Sequence, residues 1–158
     1  MQKDKPRDER YSRLLATRAE QAVIGVMLLA PKAYEKIATL LSLEDFEDKR
    51  YRAIYEAAGR LQAAGKVIDE VTILGALRVK NVIEEKAVVV LVEAAKSVPH
   101  TRHLSEYCEL VKEASNKRKL VAECEKCVEA VLGGGSSTEA SESLRSFVRL
   151  VMEREEQL

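Results

Sequence analysis

The chain has 158 residues with 26 basic and 26 acidic side chains, and 46% of its residues are hydrophobic. This length and apolar content are typical of one globular domain, or of a small domain with an extension, and argue against wholesale disorder. A formal net charge of zero excludes a dedicated nucleic-acid coat protein, because such proteins carry a strong basic excess.

Membrane and secretory signals are absent from the sequence. The longest apolar run, residues 22–30, has nine residues, whereas a membrane span needs about 20. The polar N-terminal residues lack the apolar core of a signal peptide, and three cysteines do not suggest a secreted disulfide framework. We therefore expect a cytoplasmic protein.

Hydrophobic periodicity is helical along nearly all of the chain and predicts an all-α fold. Residues 1–16 are polar and predict a flexible arm. Thr17 and Glu20 then match a capping box that would open the first helix. Pro31 is well placed for the first turn of a second helix.

The next helices have clear start and stop signals. Asp48 is predicted to open a third helix, and Gly65 to end it in a conformation with positive φ. Asp69 is predicted to cap a short fourth helix, although Gly75 weakens its interior. Asn81 is a plausible stop for that helix.

The β-branched run of residues 87–92 fits either a strand or a buried helix. Charged residues precede it and helix-forming residues continue it, and no second strand is available for pairing, so we predict a helix. Pro99 then breaks the chain. These features together predict a compact helical head over residues 17–99.

The remainder, residues 100–158, predicts a long antiparallel helical hairpin. One helix without Gly or Pro covers residues 101–132, residues 133–137 form a flexible turn, and a second amphipathic helix follows. Two helices alone bury little apolar surface, so we expect a second copy of the hairpin to cover this one in a homo-oligomer. The candidate interface residues are Val121, Cys124, Val128, Leu144, Phe147, Val148 and Val151.

No catalytic motif is found. Gly65 and Lys66 are followed by Val67, with Arg60 where a phosphate-binding loop needs Gly, and the glycine run at 133–135 has no following Lys. With two histidines and no nucleophile elbow, nucleophilic catalysis has little support. We therefore predict a chain that is not itself an enzyme.

A zinc site is the strongest alternative to a chain that binds no metal or cofactor. His100, His103, Cys124 and Cys127 are residue types that zinc prefers. The two pairs are separated by roughly 30 Å if they lie on one helix, so they meet only if that helix breaks. The cysteine pair also lies late in a helix, unlike a redox pair at a helix N-terminus. We expect Cys124 to be a small core residue flanked by Cys127, with no metal or cofactor.

Two charge clusters remain. An acidic cluster surrounds Phe46 and comprises Glu44, Asp45, Glu47 and Asp48. A basic patch in the long helix comprises Lys112, Lys117, Arg118 and Lys119. We expect the acidic cluster to be solvated surface or helix caps, with a metal site as the alternative. We expect the basic patch to be a solvated face, with nucleic acid or an acidic partner as the alternative.

Five groups of residues occur along the chain in a characteristic order. The groups are residues 19–25 with 28–29; Phe46 with Arg50, Ile54, Tyr55 and Leu61; Gly65 with 68–73; residues 97–99; and residues 107–113 with 118–120. In this order and spacing they resemble the N-terminal domain of the DnaB-type replicative DNA helicases. The resemblance spans residues 19–131. Lys86 and Ala87 depart from it where the family often has a Gly pair, as does His103 where it often has Asn, which suggests a divergent member.

The resemblance implies a non-catalytic domain with a helical head and a helical hairpin. In the family, hairpins pair, and three pairs form a collar on the hexameric helicase ring. The collar contacts primase or, in some systems, a helicase loader, while ATP-dependent unwinding and the grip on DNA belong mainly to the motor domain. We therefore expect no direct DNA site in this chain.

Two alternatives share this fold. One is a free-standing protein of a phage or mobile element that binds a host helicase or primase and modulates replication. The other is the C-terminal domain of primase, which has a related fold. The stretch from Asp69 to Ile73 and the pair Val98 and Pro99 favour the helicase side.

Overall fold

The computed structural model describes residues 9–30, 32–78, 84–98 and 100–156. Within these ranges the secondary structure is helical and includes no strand, which confirms the predicted all-α class. The α-helices are α1 (Glu9–Ser12), α2 (Thr17–Leu29), α3 (Ala33–Leu40), α4 (Lys49–Ala63), α5 (Glu70–Arg78), α6 (Glu84–Ser97), α7 (Leu104–Leu132) and α8 (Ser137–Glu156). Short 3-10 helices span Leu43–Asp45 and Thr101–His103. In these parts of the chain, no helix combines the length and apolarity that crossing a bilayer requires.

The chain divides into two compact units, Met1–Ser115 and Asn116–Leu158. The first unit extends beyond the boundary at residue 99 that the sequence predicts. The physical reason is that Leu104, Cys108 and Val111, in the first turns of α7, are buried in its hydrophobic core. The short helix α1 lies within the segment expected to be a flexible arm.

Helix α2 is the central helix of the first unit and contacts α3, α4 and α6. Its residues 22–28 are all buried, which explains why the longest apolar run of the sequence lies here. Gly25 lies at the contact with α6, where a Cβ atom would overlap the carbonyl oxygen of Ala94 and the side chain of Val98. The missing side chain therefore allows α2 and α6 to pack closely.

The predicted helix signals of α4 and α5 are confirmed. The Asp48 carboxylate accepts a hydrogen bond of 2.9 Å from the Arg50 amide at the start of α4. Gly65 has a φ of 66° just after α4. The Asp69 carboxylate accepts a 2.8 Å bond from the Thr72 amide, and the Thr72 hydroxyl accepts one from the Asp69 amide. Residues 87–92 form helix in α6, as predicted. Pro31, Asn81 and Pro99 lie outside the described residues.

The capping box predicted for Thr17 and Glu20 is wrong. Helix α2 begins at Thr17, and no side chain caps its N-terminus. The Glu20 side chain is buried instead, and its two oxygens accept hydrogen bonds of 2.9 and 3.0 Å from the amides of Glu47 and Asp48. These amides lie just before α4, so Glu20 joins the central helix to the entrance of α4.

Candidate interaction surface

The second unit is an antiparallel hairpin made by the carboxyl-terminal part of α7 and by α8. Hydrogen-bonding groups of the two helices meet at two places within the described residues. The Cys127 thiol lies 3.5 Å from the carbonyl oxygen of Ala140, and the Ser143 hydroxyl donates a hydrogen bond of 3.1 Å to Glu123. Gly134, with a φ of 92°, lies in the turn between them. Because Cys127 pairs with Ala140 and Glu123 pairs with Ser143, the two helices run antiparallel.

The predicted interface residues divide into a half-buried and an exposed set. The half-buried set is Val121, Leu144, Phe147 and Val151, and the exposed set is Cys124, Val128 and Val148. Leu144, Phe147 and Val151 follow Ala140 at helical spacing along α8, so they continue the side of α8 that meets α7. The exposed set is the part of the predicted interface that a partner can reach.

An apolar groove of about 370 Å³ runs along the hairpin near its turn. Its lining residues are Cys127, Val128, Val131, Leu132, Ser137, Ala140, Ser141 and Leu144. Leu132 is 83% exposed and Val128 is 57% exposed. The interface predicted from the sequence does not include Val131 and Leu132, although both lie within three or four residues of Val128 on one helix face. Contiguous exposed apolar surface is a common feature of protein interaction sites, so this groove is the candidate interaction surface of the hairpin.

The predicted roles of the two neighbouring cysteines are reversed in the structure. Cys124, expected in the core, is exposed, whereas Cys127 is half-buried against α8. The reason is the rotation of α7, because α8 packs against the side that carries Glu123 and Cys127. Helix α7 runs without interruption from Leu104 to Leu132, and among the described residues no three His, Cys, Asp or Glu side chains are placed to hold a metal ion.

The acidic cluster around Phe46 is not a solvated surface as a whole, because Asp45 is fully buried. Asp45 accepts hydrogen bonds of 2.6 Å from the Ser115 hydroxyl, 3.0 Å from the Lys112 ammonium group and 2.8 Å from the Ser42 amide. Asp48 caps α4, which agrees with the expectation that members of the cluster cap helices. Glu44 is exposed. One member of the cluster therefore fixes α7 to the rest of the first unit.

Burial raises the pKa of Asp45, but its hydrogen bonds with Ser115, Ser42 and Lys112, together with the charge of Lys112, outweigh burial and lower the pKa to about 2. Lys112 is consequently committed to a contact inside the first unit. It does not act as part of one solvated basic patch with Lys117, Arg118 and Lys119.

The fold and surface define a class: an all-α protein with a helical core in its first unit and a helical hairpin that exposes apolar residues in its second unit. The sequence comparison is more specific. Residues 14–113 match the model of the DnaB-like helicase N-terminal domain. The chain belongs to this family, as the order of its motifs predicts.

Relatives of this chain include replicative DNA helicases of bacteria. The chain is 33% identical over 104 residues to the helicase DnaC of Bacillus subtilis, and 34% identical over 104 residues to DnaB of Geobacillus stearothermophilus. Each alignment covers 65% of this chain but only 23% of the relative. The chain thus spans about a quarter of the length of these relatives.

Solved structures share the fold. The N-terminal domain of DnaB helicase from Mycobacterium tuberculosis matches with a TM-score of 0.77 at 24% identity, over 84% of this chain and 96% of that one. A DnaB-like replicative helicase, described together with its interactions with primase, matches with a TM-score of 0.69 at 27% identity, over 90% of this chain and 35% of that one.

Proposed function

We propose that this chain is the collar domain of a replicative DNA helicase, which assembles with copies of itself through the hairpin and binds a primase or a helicase loader. Unwinding driven by ATP is proposed for the longer protein that would carry this domain. The observation that supports self-association is the exposed apolar groove around Val128 and Leu132. Covering that surface with a second hairpin removes it from water, which favours association.

The proposed interface comprises Val121, Cys124, Val128, Leu144, Phe147, Val148 and Val151, extended by Val131 and Leu132. Its exposed members are suited to direct contact with a second copy. Its half-buried members hold the two helices of one hairpin together, and their remaining exposed surface would be covered on pairing. We expect a dimer, and three such dimers in the hexameric parent.

The sharpest test of self-association is Val128→Asp, measured by sedimentation velocity at micromolar concentration. A charge at a 57% exposed position leaves the fold intact but places a carboxylate in the apolar interface. We expect the wild-type chain to be a dimer or larger and the variant to be a monomer. Val67→Asp is the matched control, because Val67 is 62% exposed in the first unit and lies outside the proposed interface.

Phe147→Asp is a second variant that should split the oligomer. Because Phe147 is half-buried, circular dichroism must show that helix content is retained. A wild-type chain that sediments as a monomer would contradict self-association. An oligomer that survives Val128→Asp would contradict the proposed face.

Binding of primase is supported by two similar structures that are described with their interactions with primase, one of them from Helicobacter pylori. The test is titration of the labelled chain with the helicase-binding domain of a primase, followed by fluorescence anisotropy. We expect saturable binding with a Kd on the order of tens of micromolar or tighter. No binding in this range would exclude primase as the partner, and the same titration with a helicase loader then tests the second partner.

A further inference from the structure

Cys124 and Cys127 are neighbours on the carboxyl-terminal part of α7. They lie three residues apart on one helix, so their Cβ atoms are about 5–6 Å apart. Cys124 is exposed, whereas Cys127 is half-buried and places its thiol 3.5 Å from the carbonyl oxygen of Ala140 on α8. Cys108 is buried and lies sixteen residues before Cys124, which is about 24 Å along the helix axis. Cys124 and Cys127 are therefore the pair within one chain that a disulfide can join.

A disulfide between them needs a tighter turn than an α-helix provides, because the Cβ atoms of a disulfide are about 3.8 Å apart. In a 3-10 helix, residues three apart lie directly above one another, so one 3-10 turn between Cys124 and Cys127 brings their sulfur atoms together. The residues between them, Glu125 and Lys126, are exposed, and none of the side chains of residues 116–153 is buried. In this part of the chain, core packing therefore does not resist the tighter turn.

The tighter turn changes the apolar groove of the hairpin. A 3-10 helix advances about 120° per residue and an α-helix about 100°, so three tightened residues rotate the end of α7 by about 60°. Val128 and Val131 then turn away from Leu144, with which they line the groove. The Cys127 sulfur also loses the hydrogen that it directs at the Ala140 carbonyl oxygen. Disulfide formation therefore disrupts both the groove and a contact between α7 and α8.

We propose that Cys124 and Cys127 form a reversible disulfide within one chain, which disrupts the apolar groove of the hairpin so that oxidation opposes self-association. The effect on association rests on the proposed function, whereas disulfide formation itself does not. Cys124 also belongs to the proposed interface, so a second copy covers it and protects it from oxidants. Pairing and oxidation oppose each other by the same factor, because linkage between two equilibria is reciprocal.

The oxidant is a small disulfide such as oxidised glutathione. The Cys124 thiolate attacks one sulfur of this disulfide, its S–S bond breaks, and one glutathione leaves as a thiolate. The Cys127 thiolate then attacks the Cys124 sulfur of the mixed disulfide, and the second glutathione leaves. The two protons of the protein thiols end on the two released glutathione molecules. An accessible cysteine beside a resolving one is typical of a redox sensor, whereas a catalytic pair lies at a helix N-terminus.

Peptide mapping with trypsin tests whether the disulfide forms. Lys126 lies between the two cysteines, so trypsin separates residues 120–126 from residues 127–145. After the dilute chain is incubated with oxidised glutathione and free thiols are blocked, we expect these two peptides to stay joined until a reductant is added. Cys108→Ser is the matched control that keeps the pair and should behave like the wild type. Cys124→Ser lacks the accessible cysteine and should yield separate peptides.

Hydrogen exchange and sedimentation measure the consequence of oxidation. Amide hydrogen exchange in residues 127–132 should become about tenfold faster or more, because a 3-10 turn has poorer hydrogen bonds than an α-helical one. The Kd of self-association should rise by about tenfold or more, because Val128 leaves the apolar face that a second copy covers. Dithiothreitol should reverse both effects, and Cys124→Ser should show neither.

The outcomes separate this inference from self-association. Peptides that separate without reductant would overturn the disulfide, and so would a covalent dimer in place of a disulfide within one chain. Joined peptides with an unchanged rate of hydrogen exchange or an unchanged Kd would overturn the switch and leave self-association intact. A wild-type chain that is monomeric before oxidation would overturn self-association and its redox control, while the peptide map and hydrogen exchange still decide on the disulfide.

Discussion

The buried carboxylate of Asp45 accepts a 2.6 Å hydrogen bond from the hydroxyl of Ser115, a residue 70 positions later in the chain. With the 3.0 Å contact from Lys112, this bond ties the 3-10 helix Leu43–Asp45 to α7. The contact lies at the carboxyl-terminal edge of the first unit, immediately before the second unit begins. It therefore defines where α7 stops being part of the core.

Replacing Asp45 by Asn should destabilise the protein at neutral pH by about 2 kcal/mol, because a pKa lowered from 3.8 to about 2 corresponds to that difference. The folded-state pKa lies below the unfolded value, so this stabilisation is complete above pH 4 to 5. It is lost as the pH falls through about 2.

Urea unfolding of the wild type and of Asp45→Asn between pH 2 and pH 7 checks this prediction. The difference in the free energy of unfolding should shrink as the solution becomes acidic. Glu44→Gln is the matched control, since Glu44 is exposed beside Asp45 and should change stability by less than about 0.5 kcal/mol. A difference that is constant across this range would contradict the role of the Asp45 charge.

Replacing Glu20 by Ala should cost about 2 kcal/mol or more, because the amides of Glu47 and Asp48 lose their acceptors in a partly buried site. Glu20→Gln keeps one oxygen acceptor and should cost less. Thermal unfolding followed by circular dichroism measures both. Equal losses for Ala and Gln would show that the two hydrogen bonds are not what Glu20 contributes.

Two glycines should respond to Ala in opposite directions. Gly25→Ala should destabilise the protein by about 1–3 kcal/mol, because the new methyl group overlaps the Ala94 carbonyl oxygen. Gly75→Ala should stabilise it by about 0.5–1 kcal/mol, because Gly75 is exposed within α5 and nothing lies within 4 Å of the added carbon. Denaturant midpoints of both variants check the pair. A neutral Gly25→Ala would mean that α2 and α6 are not in close contact.

In the Val128→Asp variant, which is expected to be a monomer, the three cysteines should react with a water-soluble maleimide in the order Cys124, Cys127, Cys108. Cys124 is exposed, whereas burial raises the pKa of Cys108 to about 11. At pH 8 such a thiol is only about 0.1% thiolate, which is the reactive form. Peptide mass spectrometry after timed labelling measures the order, and labelling in denaturant should make all three comparable. Rapid labelling of Cys108 in the folded protein would exclude its burial.

Local signals in the sequence predicted several of the helix ends. Asp48, Gly65 and Asp69 were predictable because a cap or a C-terminal glycine acts on amides and carbonyls within a few residues. The helical form of residues 87–92 followed from neighbours in the same segment. The order of the motifs identified the family, since it is a property of the chain alone.

Only the tertiary structure decided what Glu20 and Asp45 do. Their partners lie 27, 28, 67 and 70 positions away, and no periodicity or spacing encodes contacts between distant segments. The sequence also could not predict which of Cys124 and Cys127 faces α8. Apolar residues show that one side of α7 is covered, but a rotation of the helix by a few tens of degrees exchanges the cysteine that faces α8. Sequence determined the elements and the family, whereas packing decided which carboxylates are buried and which apolar residues are left for a partner.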